Sequence, residues 1–342
     1  MRSLRAAVPA TVPAVTLTEA DIWDNLGKYA EAARGAFAAN TERAMRSDIA
    51  LFTDWCHQEA RQAMPASPET VAAFVDAMAA SKAPASVRRY VASIASFHRA
   101  AVAANPCETQ AVKLALRRMH NAKGRAQLQA SPLNEGAVRK LLEARGISRA
   151  RRGNPMLELR NRALLVVGYV TLCREGELVA LRFDDLKVEA DGFATIRIRR
   201  SKGDQEGRGA TVPIPADAMR HLAKWITAAG IKDGALFRAV RHSGSIGGPL
   251  DPGAVARVFK TMATVAKLKL PDGQATPRVS GHSTRIGAAQ DMLRYKETLA
   301  AIMVSGRWKS PEMVGRYVQE QEARDSAASR IAAERKRSGE PF

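Results

Sequence analysis

Strand-forming sequence is confined to one window of this 342-residue chain. Between about 186 and 215, the runs ATIRIRR and GATVPIP are short and rich in β-branched residues. The glycine-rich stretch SKGDQEGRG separates them, which is the pattern of a hairpin with Lys202 at its turn. Elsewhere the apolar residues recur at helical spacing or the chain reads as turn. The expected fold is therefore mainly α, with a small β-sheet in the C-terminal domain.

Residues 17–122 read as helices with short breaks and no strand signal, enough for a compact domain of four or five helices. In SVRRYVASIASFHRA, the positions Val87, Tyr90, Val91, Ile94 and Phe97 follow one helical face, and Arg88, Arg89, Ser93, Ser96 and Arg99 fall on the other. Ser67-Pro68 is a helix start, a serine cap followed by a proline whose missing N–H costs nothing there. The segment ANTERAMRSDIALFTDWCHQ is expected to bury Ile49, Phe52 and Trp55 and to keep Arg43 and Arg46 on its polar side. Residues 123–131, KGRAQLQAS, are polar and aperiodic and form the candidate linker. Ser131-Pro132 opens a second domain, 132–342. Its LRNRALLVVGYVTL is apolar nearly all round, as a buried helix requires. From 217 onward the pattern is helical apart from a loop, RHSGSIGGPLDPG. The first sixteen residues, broken by Pro9 and Pro13, read as a disordered arm rather than a signal peptide.

Charge narrows the partner. The formal net charge is +19 and both halves are basic, which favours a polyanion such as nucleic acid. A membrane fits poorly, because no run of about 18 apolar residues exists. Three scattered cysteines, Cys56, Cys107 and Cys173, lack zinc-ligand spacing and suggest a reducing, cytoplasmic setting, nucleoid-associated if the partner is DNA. Candidate DNA contacts in the first half and linker are Arg43, Arg46, Arg88, Arg89, Arg117, Arg118, Lys123 and Arg125. Most would position a duplex through its phosphates, although solvated helix faces account for many such arginines.

Four later segments carry chemistry: TLCREGELVALR, RRSKGDQEGRGATVPIP, SGHSTRIGAAQDM and SGRWKSPEMVGRYV. His282 and Arg285 stand at i, i+3 on one helical face. Trp308 precedes Tyr317 by nine residues, and Ser310-Pro311-Glu312 reads as the start of the helix that carries the tyrosine. Arg174 follows an apolar run and needs an anionic partner, either Glu177 three residues on or a phosphate. A turn lysine such as Lys202 is ordinarily solvated, and only its place between the other elements raises it. Two arginines, a lysine, a histidine and an indole could surround one phosphate, and a tyrosine hydroxyl could attack it. No member of the set needs a metal or other cofactor.

Together these segments resemble the tyrosine recombinase (phage integrase) family over nearly the whole chain, more weakly before residue 84. The resemblance implies a two-domain C-shaped clamp. A helical, SAM-like core-binding domain (17–122) would precede a catalytic domain (132–342) that ends in a partner helix. It implies Tyr317 as nucleophile, Arg174 and Arg285 on the non-bridging oxygens, His282 and Trp308 as further donors, Lys202 as general acid and Glu177 as a supporting carboxylate. LFRAVRHSG resembles a loop of the family, which adds Arg241 to the DNA contacts. Two departures stand out. Arg307 replaces a glycine beside Trp308, and Gly253 falls where similar members read a base with arginine.

The expected activity is site-specific recombination or integration through a 3′-phosphotyrosyl intermediate, without metal or ATP. The partners would be double-stranded DNA with inverted-repeat half-sites and a homo-tetramer assembled on it. A monomeric type IB topoisomerase-like enzyme and a catalytically decayed DNA-binding protein are the alternatives. Ala327, Ala328, Ile331 and Ala332 form a small apolar face on a terminal helix that either packs on its own domain or docks elsewhere.

Overall fold

Helical periodicity over most of the chain produces a mainly helical protein. The computed structural model describes residues 18–125, 129–144, 146, 154–204, 206–241, 243–269, 278–324 and 326–339, without the side chains of 39 and 318–324. The expected arm, residues 1–16, and positions 126–128 of the expected linker lie outside the described residues. The chain divides into two compact units, Met1–Leu128 and Gln129–Phe342.

In the first unit the helices are α1 (Glu19–Ala32), α2 (Ala39–Gln58), α3 (Pro68–Ser81), α4 (Pro84–Ala100) and α5 (Gln110–Lys123). The Ser67 hydroxyl accepts the Thr70 N–H at 3.1 Å, with Pro68 in the first turn of α3. Phe52, Phe74, Val87, Ile94 and Val112 form the core, and Phe52 meets Phe74 edge-on with ring centres 5.1 Å apart. Ile49 and Trp55 pack only partly buried against it.

Two side chains depart from the helical-face reading. Ser93, expected on the polar side, is buried, and Ser96 is half-buried. The reason is Asp48, itself buried, whose carboxylate accepts the Ser93 hydroxyl at 2.9 Å and two bonds from Arg89 at 2.8 and 3.0 Å. A buried carboxylate requires such donors, so the polar stripe of α4 is turned inward at this point.

The second unit contains α6 (Glu135–Glu143), α7 (Pro155–Val170), α8 (Glu175–Ala180), β1 (Leu186–Val188), β2 (Ala194–Ile198), β3 (Ala210–Ile214) and α9 (Ala216–Ala229). These are followed by β4 (Arg238–Val240), β5 (Ile246–Pro249), α10 (Pro252–Val265), α11 (Ser283–Arg294), α12 (Leu299–Gly306), α13 (Pro311–Arg324) and α14 (Ala327–Ser338). Strands β1, β2 and β3 pair antiparallel in that order, with Ile196 opposite both Leu186 and Val212. Their alternate residues Ile196, Ile198, Val212 and Ile214 face a core shared with Leu164 and Leu165 of the buried α7 and with Trp225 and Phe259. The segment read as a loop after 240 contains β5, which pairs with β4. Gly247, Gly248 and Pro249 made it read as loop, and its ladder has only two paired positions, Arg238 with Pro249 and Val240 with Ile246.

The segment leading into α6 fixes α11. Ser131 and Arg278 exchange two hydrogen bonds, the Leu133 N–H donates to the Ser283 carbonyl, and the Glu135 N–H donates to Asp291. Gly287 of α11 lies directly beneath the Leu133 carbonyl, where a methyl group would collide with backbone. Gly287→Ala is therefore expected to destabilise the second unit by about 2–3 kcal/mol, the range for overpacking against an unyielding neighbour. Urea denaturation followed by Trp fluorescence measures it, and an unchanged midpoint would refute the close approach.

Candidate active site

Three breaks between helices and one helical tyrosine converge on one place. Thr171 ends α7 and Leu172 takes a left-handed conformation (φ 49°), which turns the chain so that Arg174 stands at the head of α8. His282 heads α11, with Arg285 one turn in. Arg307 ends α12 in a left-handed conformation (φ 55°) and delivers Trp308 to the gap before α13. Tyr317 lies within α13. Gly281 leaves room for the Glu175 side chain, and Gly306 lies flat against the Trp308 indole, where any Cβ would clash.

Arg285 is the centre. It is 1% exposed, and among the described residues no carboxylate bonds it. Its two terminal nitrogens donate to the carbonyls of Leu172 and Gly306. Its guanidinium stacks on the Trp308 ring at 4.2 Å, a favourable cation–π geometry. Burial, then the charges of Arg174 and Arg307, push its pKa down to about 10, so it stays protonated at neutral pH. Trp308 lies between this guanidinium and the Tyr317 ring, whose centre is 5.7 Å away. The indole N–H of Trp308 is buried with no hydrogen-bond partner. A buried, unpaired donor costs free energy and calls for an explanation. A phosphate oxygen seated among these groups would provide the acceptor.

Beside it, Glu177 binds two arginines. Its Oε1 accepts Arg174 Nη1 at 2.6 Å, and its Oε2 accepts Arg307 Nη2 at 2.9 Å and the Arg174 backbone N–H at 3.1 Å. Burial raises the Glu177 carboxyl pKa, but the two bonds from Arg174 and the charge of Arg307 outweigh it, and the net shift is downward. His282 faces the same charges. Although the residue is exposed to solvent on one side, the protein packed around its ring partly desolvates it and holds the imidazole below the ordinary histidine value; Glu175 opposes this, while Arg285 and Arg174 reinforce it. The ring is therefore mainly neutral at pH 7, with one donor and one acceptor nitrogen.

Lys202 and Gly203 form the tip between β2 and β3, closed by reciprocal backbone bonds between Ser201 and Asp204. The exposed Lys202 lines a groove with Asp204, Arg208, Arg307 and Lys309. Arg174, Glu177, His282, Arg285, Trp308 and Tyr317 thus converge, and the hairpin brings Lys202 to their rim. Arg307 joins them as a third guanidinium that sequence reasoning noticed only as a departure. Its partner Glu177 lies 130 positions away, and no local pattern signals the pair. Among the described residues, no group of three or more His, Cys, Asp or Glu could hold a metal ion.

The expected DNA contacts Arg43, Arg46, Arg88, Arg89, Arg117, Arg118, Lys123, Arg125 and Arg241 are all exposed. Three of them also have partners within their own unit: Arg89 bonds Asp48, Arg118 bonds Asp76 at 2.6 Å, and Lys123 donates to the carbonyls of Ala80 and Lys82.

Glu177→Gln is expected to destabilise the protein by about 2 kcal/mol or more, because the arginines around it lose their counter-charge. The lowered pKa makes the Glu177 contribution fully present above the ordinary glutamate value of 4.5 and lost as pH falls through its lower folded value. Urea unfolding of both proteins from pH 8 to pH 3 should show a constant gap that closes only in the acid range. A gap that closes near pH 6 would contradict the pairing.

Known proteins are similar to this chain in sequence and in fold. Residues 133–324 match the phage integrase family, and residues 32–105 match the phage integrase N-terminal SAM-like domain. An integrase/recombinase xerD homolog of Selenomonas ruminantium is 30% identical over 305 residues, covering 86% of each chain. Recombinase cre of Escherichia phage P1 is 26% identical over 313 residues, covering 87% of this chain and 89% of that one. Among solved structures, a lambda integrase tetramer bound to a Holliday junction superposes with a TM-score of 0.60 at 18% identity, over 89% of this chain and 78% of that one. The Tn1549 transposon integrase in complex with transposon right end DNA gives 0.60 at 14% identity, over 86% and 94%.

Proposed function

Because this chain belongs to the phage integrase family of tyrosine recombinases, we propose that it is a site-specific recombinase whose catalytic group is Arg174, Lys202, His282, Arg285, Trp308 and Tyr317. The observation that carries this reading is the unpaired Trp308 N–H, held between a buried guanidinium and a tyrosine ring.

The Tyr317 oxygen attacks the scissile phosphorus, a 3′-phosphotyrosyl bond forms and the P–O5′ bond breaks. The departing O5′ takes a proton from Lys202, a mobile ammonium at the rim. The phenolic proton leaves to a base, and the neutral His282 is the member of the set able to accept it. Arg174 and Arg285 offer forked donors to the non-bridging oxygens as charge builds there, joined by the Trp308 N–H. One ester bond replaces another, so rejoining by a 5′ hydroxyl is the same step in reverse and needs no ATP. Exposed arginines such as Arg43, Arg46, Arg88 and Arg241 hold the duplex through its phosphates. On this reading the protein acts on DNA in the cytoplasm, at the nucleoid.

The test starts in the native host. Denaturing capture of the protein should recover covalently attached DNA, and sequencing that DNA identifies the site. Tyr317→Phe should give no adduct while binding the recovered site within about threefold, since the ring and its packing remain. An adduct formed by Tyr317→Phe would sink the assignment.

A specific feature favours a recombinase assembled on DNA over a monomeric topoisomerase. None of the residues of α14 is buried, and Ile331 is 56% exposed. A twelve-residue helix is marginal by itself and gains stability by docking its apolar face. Head-to-tail docking on a neighbouring copy can close into a ring, which suits a tetramer on paired duplexes with inverted half-sites. Removal of residues 324–342 should leave binding to one half-site little changed and abolish cooperative binding to a full site. Gel shifts on the two DNAs decide it, and unchanged cooperativity would refute the docking.

A further inference from the structure

Arg307 has no place in the reaction just described, yet its backbone and its side chain are both constrained. It is held in the left-handed region (φ 55°), which glycine occupies without strain and a long side chain does not. Its side chain is 15% exposed. Nη1 donates to the Thr171 carbonyl at 3.1 Å, and Nη2 donates to the Leu172 carbonyl at 3.3 Å and to Glu177 Oε2 at 2.9 Å. The Leu172 carbonyl is the one that also receives Arg285. Arg307 therefore touches the supports of both other arginines: the carboxylate that holds Arg174 and the carbonyl that holds Arg285.

The charge balance makes this matter. Glu177 with Arg174 alone would be a neutral pair, and a closely paired carboxylate competes with a phosphate for the same guanidinium. With Arg307 on the second oxygen, the trio carries a net positive charge, and the Glu177 charge is divided between two partners. The strained backbone keeps this charge within a site where few solvent dipoles can replace it. Arg307 does not need to reach the phosphate to act in this way.

Resting on the reading of the site as a strand-cleavage centre, we propose that Arg307 is a positioning residue for cleavage. It draws one oxygen of Glu177 to itself and so leaves Arg174 available to the charged scissile phosphate. The effect is electrostatic and is therefore specific to a substrate that bears the charge.

The experiment uses full-length protein and a nicked duplex built on the sequence recovered from the wild-type adduct. It is made with an ordinary scissile phosphate or with a methylphosphonate, which lacks the negative charge. Arg307→Gly should slow adduct formation on the phosphate about tenfold or more, with binding affinity within about threefold of wild type. On the methylphosphonate its rate should come within about twofold of wild type. Arg307→Lys, which keeps a charge on a stem, should cleave the phosphate at an intermediate rate, and it serves as the deciding variant if the glycine protein unfolds. An equal loss on both substrates, the mark of a merely structural role, would overturn the proposal. So would wild-type rates on both for Arg307→Gly, or for Arg307→Lys where the glycine variant cannot be used. If wild-type protein gives no adduct, the reading of the site falls and the proposal falls with it. A normal wild-type adduct beside an unaffected Arg307→Gly overturns this proposal alone.

Discussion

The second unit is organised around a buried guanidinium that has no carboxylate. Arg285 could have been neutralised by an acid, but it is bonded to two backbone carbonyls, at Leu172 and Gly306. Carbonyls satisfy its donors without cancelling its charge. They also belong to different segments, the turn after α7 and the end of α12, so one side chain of α11 ties three parts of the chain together. Its stacking on Trp308 extends the tie toward α13, because the indole packs against Tyr317. The desolvation cost of such a cation is several kcal/mol before compensation. The fold bears that cost at the place where an anion is expected to bind, which makes sense if the ligand completes the compensation.

The rest of the site serves that arrangement. Leu172 and Arg307 both adopt left-handed backbone, a strain of about 1 kcal/mol or more each for residues other than glycine. Both orientations serve the cluster: the Leu172 carbonyl accepts from Arg285 and Arg307, and the Arg307 side chain donates to Glu177. Gly287 allows α11 to press against the Leu133 backbone, and the bond from the Glu135 N–H to Asp291 holds the far end of α11 against the start of α6. Tyr169 of α7 donates to the same carboxylate at 2.7 Å. The helix carrying His282 and Arg285 is thus held at both ends by contacts that have no part in the chemistry.

Much of this was legible locally. The Ser67-Pro68 helix start, the all-round apolar α7 and the hairpin with Lys202 at its tip are each written in a few consecutive residues, because caps, burial and turns are short-range physics. The i, i+3 spacing of His282 and Arg285 is equally local. What sequence missed depended on partners far along the chain. Ser93 looks solvent-facing until Asp48, 45 positions away, is found beneath it. Arg89 and Arg118 look unpaired in sequence, and their partners Asp48 and Asp76 lie 41 and 42 positions away. Strand β5 was read as loop because glycine and proline dominate it, and β4 fell in a stretch read as helical; each strand exists only through its pairing with the other.

The site itself shows the same division. Composition could say that arginines, a histidine, an indole and a tyrosine lie in order along the chain. It could not say how their charges are balanced, and balance decides whether an arginine grips a substrate or a neighbour. Two guanidiniums, those of Arg174 and Arg307, share one carboxylate, Glu177, and that of Arg285 lies beside them on backbone carbonyls, so the pocket keeps an excess of positive charge in a poorly solvated place. Interactions there are stronger than at the surface. A basic chain that merely bound DNA would carry its arginines on exposed faces, as the first unit does with Arg43, Arg46 and Arg88. Burying cations beside an unpaired indole N–H costs free energy that a hydrogen-bonded anion would offset. Exposed arginines carry no such cost, and that difference in burial is what distinguishes this cluster from the basic surface of the first unit.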